Sequence, residues 1–162
     1  MSVWGALVGG FVGTLVLTTM LAAASHLRLT RVDIPFLLGT AWTDDRSRAR
    51  VIGYVLHFVA GLVFSLFYYA AFLVLGRAGW ALGMLFGLVH ALFAGTTLVD
   101  VLLPAVHPRM GTSISAANSS PLLQAPGFML LNYGRAAPAV TILAHLAYGA
   151  IVGMFTGNAS ES

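Results

Sequence analysis

Residues 51–75 read VIGYVLHFVAGLVFSLFYYAAFLVL, an apolar run without one charged residue. No other feature limits the fold so strongly. A helix rises about 1.5 Å per residue, so about 20 residues cross a hydrocarbon layer of roughly 30 Å. Comparable runs occupy residues 3–25, 80–103 and 136–155. The expectation is an all-α polytopic membrane protein with four transmembrane helices in a single domain. Composition agrees: the chain is 59% hydrophobic and only 8% charged, with mean hydropathy +0.90. Soluble domains carry about 25% charged residues, and a chain of 162 residues could not hide this much apolar surface from water.

The first run ends near Ala22-Ala23-Ala24, which resembles a leader cleavage site. It is read as a span because no basic residue precedes it and it exceeds the roughly 7–15 apolar residues of a signal core. Absent cysteines exclude disulfides, thiolate metal sites and cysteine nucleophiles. All eight basic residues are arginine. They sit in loops beside apolar spans, which points to orientation and lipid headgroups as partners and away from nucleic acid.

Seven of the arginines flank the first and third loops: Arg28, Arg31, Arg46, Arg48, Arg50, Arg109 and Arg135. The second loop has Arg77 alone. Positive charge stays in the cytoplasm, so both termini are expected outside. Two loop pieces are apolar but too short to cross: residues 34–42 (IPFLLGTAW), and residues 121–133, interrupted by Pro126 and Gly127. Both are expected to be interfacial or re-entrant segments. Between 111 and 120 lies a polar, small-residue stretch expected to be mobile. The sequon matches at Asn118 and Asn158 are too short a signal to use. Asp44-Asp45 reads as the cap and acidic start of the second span. The arginine of His107-Pro108-Arg109 could meet a lipid phosphate, as any loop arginine near headgroups does.

Small residues recur every four positions in each span, which lets helix backbones approach where no hydrophobic effect acts between helices. The stripes are Gly5, Gly9 and Gly13; Gly53, His57, Gly61 and Ser65; Gly83, Gly87, Ala91 and Gly95; and Thr141, His145, Gly149, Gly153 and Gly157. The halves also resemble each other. His26-Leu27-Arg28 pairs with His107-Pro108-Arg109, and each half ends in His-x-x-x-Gly, at His57 and at His145. This suggests a parallel two-helix repeat about an axis normal to the membrane.

Three histidines fall inside spans: His57, His90 and His145, with Asp100 near the end of the third. Polar groups in hydrocarbon face the bundle interior and pair there. The simplest reading is a structural polar cluster, each neutral imidazole bonded to a backbone carbonyl or to a threonine such as Thr96 or Thr97. Two functional readings stand beside it. One is a small proton- or ion-linked carrier, a homo-oligomer because four helices enclose little pathway. The other is a haem b electron-transfer subunit with His57 and His145 as axial ligands. Too few carboxylates accompany the histidines for a divalent metal site. No Walker loop, dinucleotide fingerprint or HExxH motif is present, so the chain reads as non-enzymatic.

The glycine-rich first span with Met20, Leu56-His57-Phe58-x-x-Gly61, Gly83-x-x-x-Gly87 and His145-x-x-Tyr148-Gly149-x-x-x-Gly153 follow one another in order. In this the chain resembles an uncharacterised family of small four-helix bacterial inner-membrane proteins, a domain of unknown function. The resemblance covers roughly the whole chain, except that the loop 104–135 is longer than the family's pattern. It implies four helices in a bacterial inner membrane and no particular activity.

Overall fold

The computed structural model describes residues 1–111 and 123–157. The stretch 112–120, with Asn118, and the Asn158 sequon lie outside the described residues. Helix α1 spans Val3–His26, α2 Ile34–Thr40, α3 Arg46–Leu75 and α4 Trp80–Phe93. The last continues as a π-helix, Ala94–Leu102, and ends in the single turn α5, Leu103–Val106. A 3-10 segment, Phe128–Tyr133, precedes α6, Ala137–Gly157. Among the described residues the fold is all-helical, and four helical stretches are long and apolar enough to cross a membrane: Val3–His26, Arg46–Leu75, Trp80–Val106 and Ala137–Gly157.

Local chemistry sets the ends. Asp33 caps α2, its carboxylate accepting from the Phe36 N–H at 3.0 Å. Asp45 caps α3 in the same way, accepting from the Arg48 N–H at 2.7 Å, so the acidic pair is a cap and the arginine collar belongs to the helix. Gly76 ends α3 at φ 67°, a left-handed cap that glycine takes without strain. Trp4 and Trp80 are exposed at one end of the bundle, and Trp42 at the other. Indole rings favour the two membrane–water interfaces, and their placement brackets the apolar layer.

Close approaches follow the small residues. A methyl added at Gly83 would meet the Gly149 carbonyl, and one at Gly149 would meet the Gly83 carbonyl. Gly87 lies under the His145 carbonyl, and Gly153 under that of Gly79. These four glycines lock α4 to α6. Gly9 and Gly13 receive α6 at Val152, Phe155 and Tyr148, whose ring lies 2.9 Å from a Cβ placed on Gly13. Gly10 faces Ser65 and Gly61 faces Thr14, joining α1 to α3.

The stripe on α3 does not act as one face. Gly53 lies against the Pro35 carbonyl of α2, Gly61 and Ser65 against α1, and His57 lines an internal cavity. Four residues turn a helix by about 400°, so each step drifts about 40° and three steps reach a different neighbour. The packing order around the bundle is α3, α1, α6, α4. Pairing α1 with α3 and α4 with α6 is what a two-helix repeat requires. The symmetry fails at the remaining seam: α1 packs closely on α6, whereas α3 and α4 have no comparable contact. Aromatic rings bridge that seam near the Gly76 turn, with Phe72 stacked on Phe86 at 5.2 Å and Phe64 on His90 at 3.8 Å. Beyond Phe64 and His90 the two helices diverge.

Both arginine-rich loops interlock beneath the gap. His107 is buried, and its Nε2–H donates to the Leu37 carbonyl at 3.1 Å, with Thr40 Oγ1 at 3.2 Å. Its Nδ1 accepts from the Arg109 N–H at 3.1 Å. Arg109 Nη1 donates to the Thr40 carbonyl at 2.7 Å, at the C-terminal end of α2, where cations are favoured. The guanidinium is therefore committed to the protein's own backbone. Arg31 binds the Asn132 carbonyl at 2.6 Å. The Tyr133 hydroxyl donates to the Gln124 carbonyl at 2.6 Å. Burial pushes that phenol up to about 12 even with Arg31 beside it, so it remains a donor.

Of the segment 121–133, expected to be interfacial or re-entrant, the described part from Leu123 onward holds a short 3-10 helix, Phe128–Tyr133. Met129 and Leu130, at φ 51° and 60°, break a regular helix there, and both are buried. The side chain of Met129 packs onto Gly95 in the π-helix. The π-helix itself was not legible in the sequence. It ends two residues before Pro104, whose ring in a continuing α-helix would press on the carbonyl of Asp100 four residues back. The wider turn carries the Leu103 N–H to the Leu98 carbonyl.

Candidate functional site

Where α3 and α4 diverge, the bundle encloses a cavity of about 330 Å³. It lies in the half of the bundle nearer the arginine-rich loops. Thr14 and Leu17 of α1 form its back wall, and Ile34 and Leu38 of α2 its floor. Ala60 of α3 and Leu98 of the π-helix face each other across the seam. No charged residue lines it among the described residues.

All three intramembrane histidines reach this cavity. Asp100 does not line it; it sits half-buried on the π-helix. Each imidazole has a different environment. His145 donates Nδ1–H to the Thr141 carbonyl at 2.8 Å, one turn back on α6. A carbonyl can only accept, so the proton sits on Nδ1 and the neutral ring presents Nε2 as a bare acceptor. His90 Nδ1 lies 3.3 Å from the Tyr68 hydroxyl, and its ring stacks on Phe64. His57 Nε2 is buried with no hydrogen-bond partner, and the Thr141 hydroxyl is in the same condition.

The expected threonine partners differ from the observed ones. Thr96 bonds its own helix at the Leu92 carbonyl, 2.7 Å, rather than any histidine. Sequence reasoning passed over Tyr68, Tyr148 and Thr141 as polar groups of the core. Tyr148 is buried and donates to the Gly61 carbonyl across the α6–α3 gap. A tyrosine or threonine at the apolar spacing of a span gives no signal that separates packing from hydrogen bonding.

The axial pair expected for haem was His57 and His145; the ring contact found is instead between His90 and His145, with centroids 4.7 Å apart and planes at 82°. Metal–nitrogen bonds of about 2 Å on both sides of an iron would hold two axial rings at about 6 Å or more between centroids. His90 and His145 are therefore too close to sandwich a macrocycle. Among the described residues no set of three His, Asp or Glu side chains is arranged to hold a metal ion.

Chemically, the cavity is an apolar container with a few neutral polar contacts. The Thr141 hydroxyl and His57 Nε2 are not among them: both atoms are buried within the packing, without partners, at a cost of about 1–3 kcal/mol each. The chain matches no family model, no curated protein and no solved structure.

Proposed function

We propose that this is a non-enzymatic multi-pass protein of the bacterial inner membrane, of the small four-helix kind its motifs resemble, that holds an uncharged apolar ligand in the open α3–α4 seam. One observation carries the reading: a cavity of about 330 Å³ between the helices is almost wholly apolar, lined mainly by aliphatic side chains together with the three intramembrane histidines. Small-molecule sites combine such apolar walls with a few placed polar groups. A proton relay is less well supported, because among the described residues no carboxylate lines the cavity. The seam lies within one chain, so the reading requires no second copy.

Native mass spectrometry of the protein released from its own membrane tests this. The wild type is expected to carry a bound lipophilic molecule, and Ala60→Trp, which places an indole in the cavity, is expected to lose it. Equal ligand loading in the two proteins would overturn the reading, as would a wild type that carries none. A haem Soret band in the same preparation, lost in His145→Ala, would replace this reading with the haem one.

The same reading places both termini outside, because Arg77 is alone in the second loop. The native chain has no cysteine, so single cysteines report without background. Ser2→Cys and Arg77→Cys are expected to react with an impermeant maleimide from the periplasmic face, and Arg48→Cys only after permeabilisation. The reverse pattern would invert the topology.

A further inference from the structure

A second cavity, of about 290 Å³, lies where the C-terminal end of α1, the N-terminal end of α2 and the first turns of α3 meet. Leu21 and Ile34 line both cavities and stand between them. Unlike the seam, this cavity has charged walls: Arg50 and Asp33 line it, with Ser25, His26 and Tyr54. We propose that it binds the headgroup of a membrane lipid carrying both a phosphate and a primary ammonium, with Arg50 on the phosphate and Asp33 on the ammonium. The site is separate from the α3–α4 seam, and neither reading depends on the other.

Charge is the first argument. Arg109 is committed to the Thr40 carbonyl and Arg31 to that of Asn132. Among the described residues the Arg50 guanidinium bonds to nothing, and no ion pair joins it to Asp33 although both line one cavity. Asp33 spends one oxygen, Oδ1, on the cap of α2 and keeps the other. A pocket that holds a cation and an anion apart matches a molecule whose opposite charges are also held apart. A purely anionic headgroup would satisfy Arg50 and be repelled by Asp33. A primary ammonium donates N–H to a carboxylate, whereas a quaternary one has no hydrogen to give. The Ser25 and Tyr54 hydroxyls and the His26 ring offer further donors to the phosphate oxygens. All five residues are exposed or half-buried, so a molecule in the cavity reaches them.

Position is the second argument, and it selects a lipid over a soluble phosphate compound. Arg50, Tyr54 and Phe58 follow one another at single-turn steps along α3, and Ala22, Thr18, Leu15 and Phe11 do so along α1. Phe58 meets Phe11 with ring centroids 5.2 Å apart. That contact lies about 12 Å deeper than Arg50 along the helix. Leu15, Tyr54 and Phe11 are all exposed along the way. The groove between α1 and α3 therefore passes from charged to apolar as a lipid does from its headgroup to its chain. Trp42, exposed at the same end of the bundle, marks the interface where headgroups lie. At about 30 Å³ for each water-sized group, the cavity has room for a phosphate and a two-carbon amine.

The test uses the full chain, stripped of lipid in a non-ionic detergent. It is titrated with phosphatidylethanolamine, phosphatidylcholine or phosphatidylglycerol of identical acyl chains, and bound lipid is counted by native mass spectrometry. Phosphatidylethanolamine is expected to bind about tenfold more tightly than either of the others. Arg50→Gln should weaken it about tenfold. Asp33→Asn, whose side chain still caps α2, should bring phosphatidylglycerol level with phosphatidylethanolamine. The lipid series on the wild type stands by itself should a variant fail to fold. Equal affinities for the three lipids, or an Arg50→Gln protein that binds like the wild type, would overturn the site. A preference that survives in Asp33→Asn would overturn the ammonium contact. Displacement of the bound lipid by millimolar glycerophosphoethanolamine would overturn the lipid assignment in favour of a soluble ligand.

Discussion

Gly149→Ala is expected to destabilise the crossing of α4 and α6 strongly. The added Cβ would meet the Gly83 carbonyl, and the Gly87 backbone N lies 2.9 Å from it. Neither obstacle is the end of a flexible side chain, so the helices must separate. In lipid, helix association depends on close van der Waals packing rather than on a hydrophobic effect, and separation along the crossing forfeits that contact. Overpacking costs about 1–3 kcal/mol in ordinary cores and more when backbone is the obstacle. Gly149→Ala is expected near the top of that range, and Gly83→Ala, the reciprocal contact, should cost a similar amount. Thermal melting in detergent, read by the loss of the monodisperse species, measures it. Gly157→Ala is the control, because its Cβ would sit 3.6 Å from the Ala78 carbonyl, an ordinary distance. A Gly149→Ala protein that melts with the wild type would mean that the α4–α6 crossing is looser than described.

The second large effect is at the floor of the cavity. His107→Ala removes the bonds to the Leu37 carbonyl and the Arg109 N–H, and leaves a void where a buried ring had been. Each bond is worth about 0.5–1.5 kcal/mol, and stranding the partners adds to that. A loss of about 2–4 kcal/mol is expected. Arg109→Ala removes the bond to the Thr40 carbonyl and should cost less, about 1–2 kcal/mol. Both side chains hold the same end of α2, so the double variant should lose less than the sum of the two. Strict additivity of the melting shifts would show that the two contacts act independently and that no joint latch exists.

Much of the architecture was legible because lipid imposes strong rules. Four apolar runs of spanning length, with Asp100 the one charged residue in them, can become little else, and glycines four apart mark where backbones touch, as Gly83 with Gly149 and Gly87 with His145 do. The capping role of Asp45 was legible for the same kind of reason, since a carboxylate before an arginine-rich helix start has one cheap use. Periodicity failed where it was extrapolated too far. The stripe from Gly53 to Ser65 looked like one face, yet drift about the helix axis sends it to α2, to the cavity and to α1 in turn. The π-helix and the left-handed pair Met129-Leu130 arise from tertiary packing around Gly95 and Pro104, for which local sequence has no pattern.

The candidate site was half legible. That His57, His90 and His145 turn inward follows from the cost of polar groups in hydrocarbon, but nothing in the chain says which ring nitrogen is left bare. That depends on the Thr141 carbonyl, a backbone atom. Asp100 was grouped with the histidines by depth along its helix, a quantity that carries no rotation. The widened π-turn leaves it off the cavity lining. Nor does sequence show that α3 and α4 diverge. Their connection runs only from Gly76 to Gly79, and so short a link suggests tight neighbours. Rings at Phe72, Phe86 and Phe64 prop the seam instead, and the space below them is what remains.

The most direct measurement of the central claim is 15N NMR of histidine-labelled protein in nanodiscs, with His145 assigned by comparison with His145→Gln. In the ligand-free protein at neutral pH, His145 is expected to show a protonated Nδ1 and an unprotonated Nε2. A His145 Nε2 that already carries the proton would contradict the account.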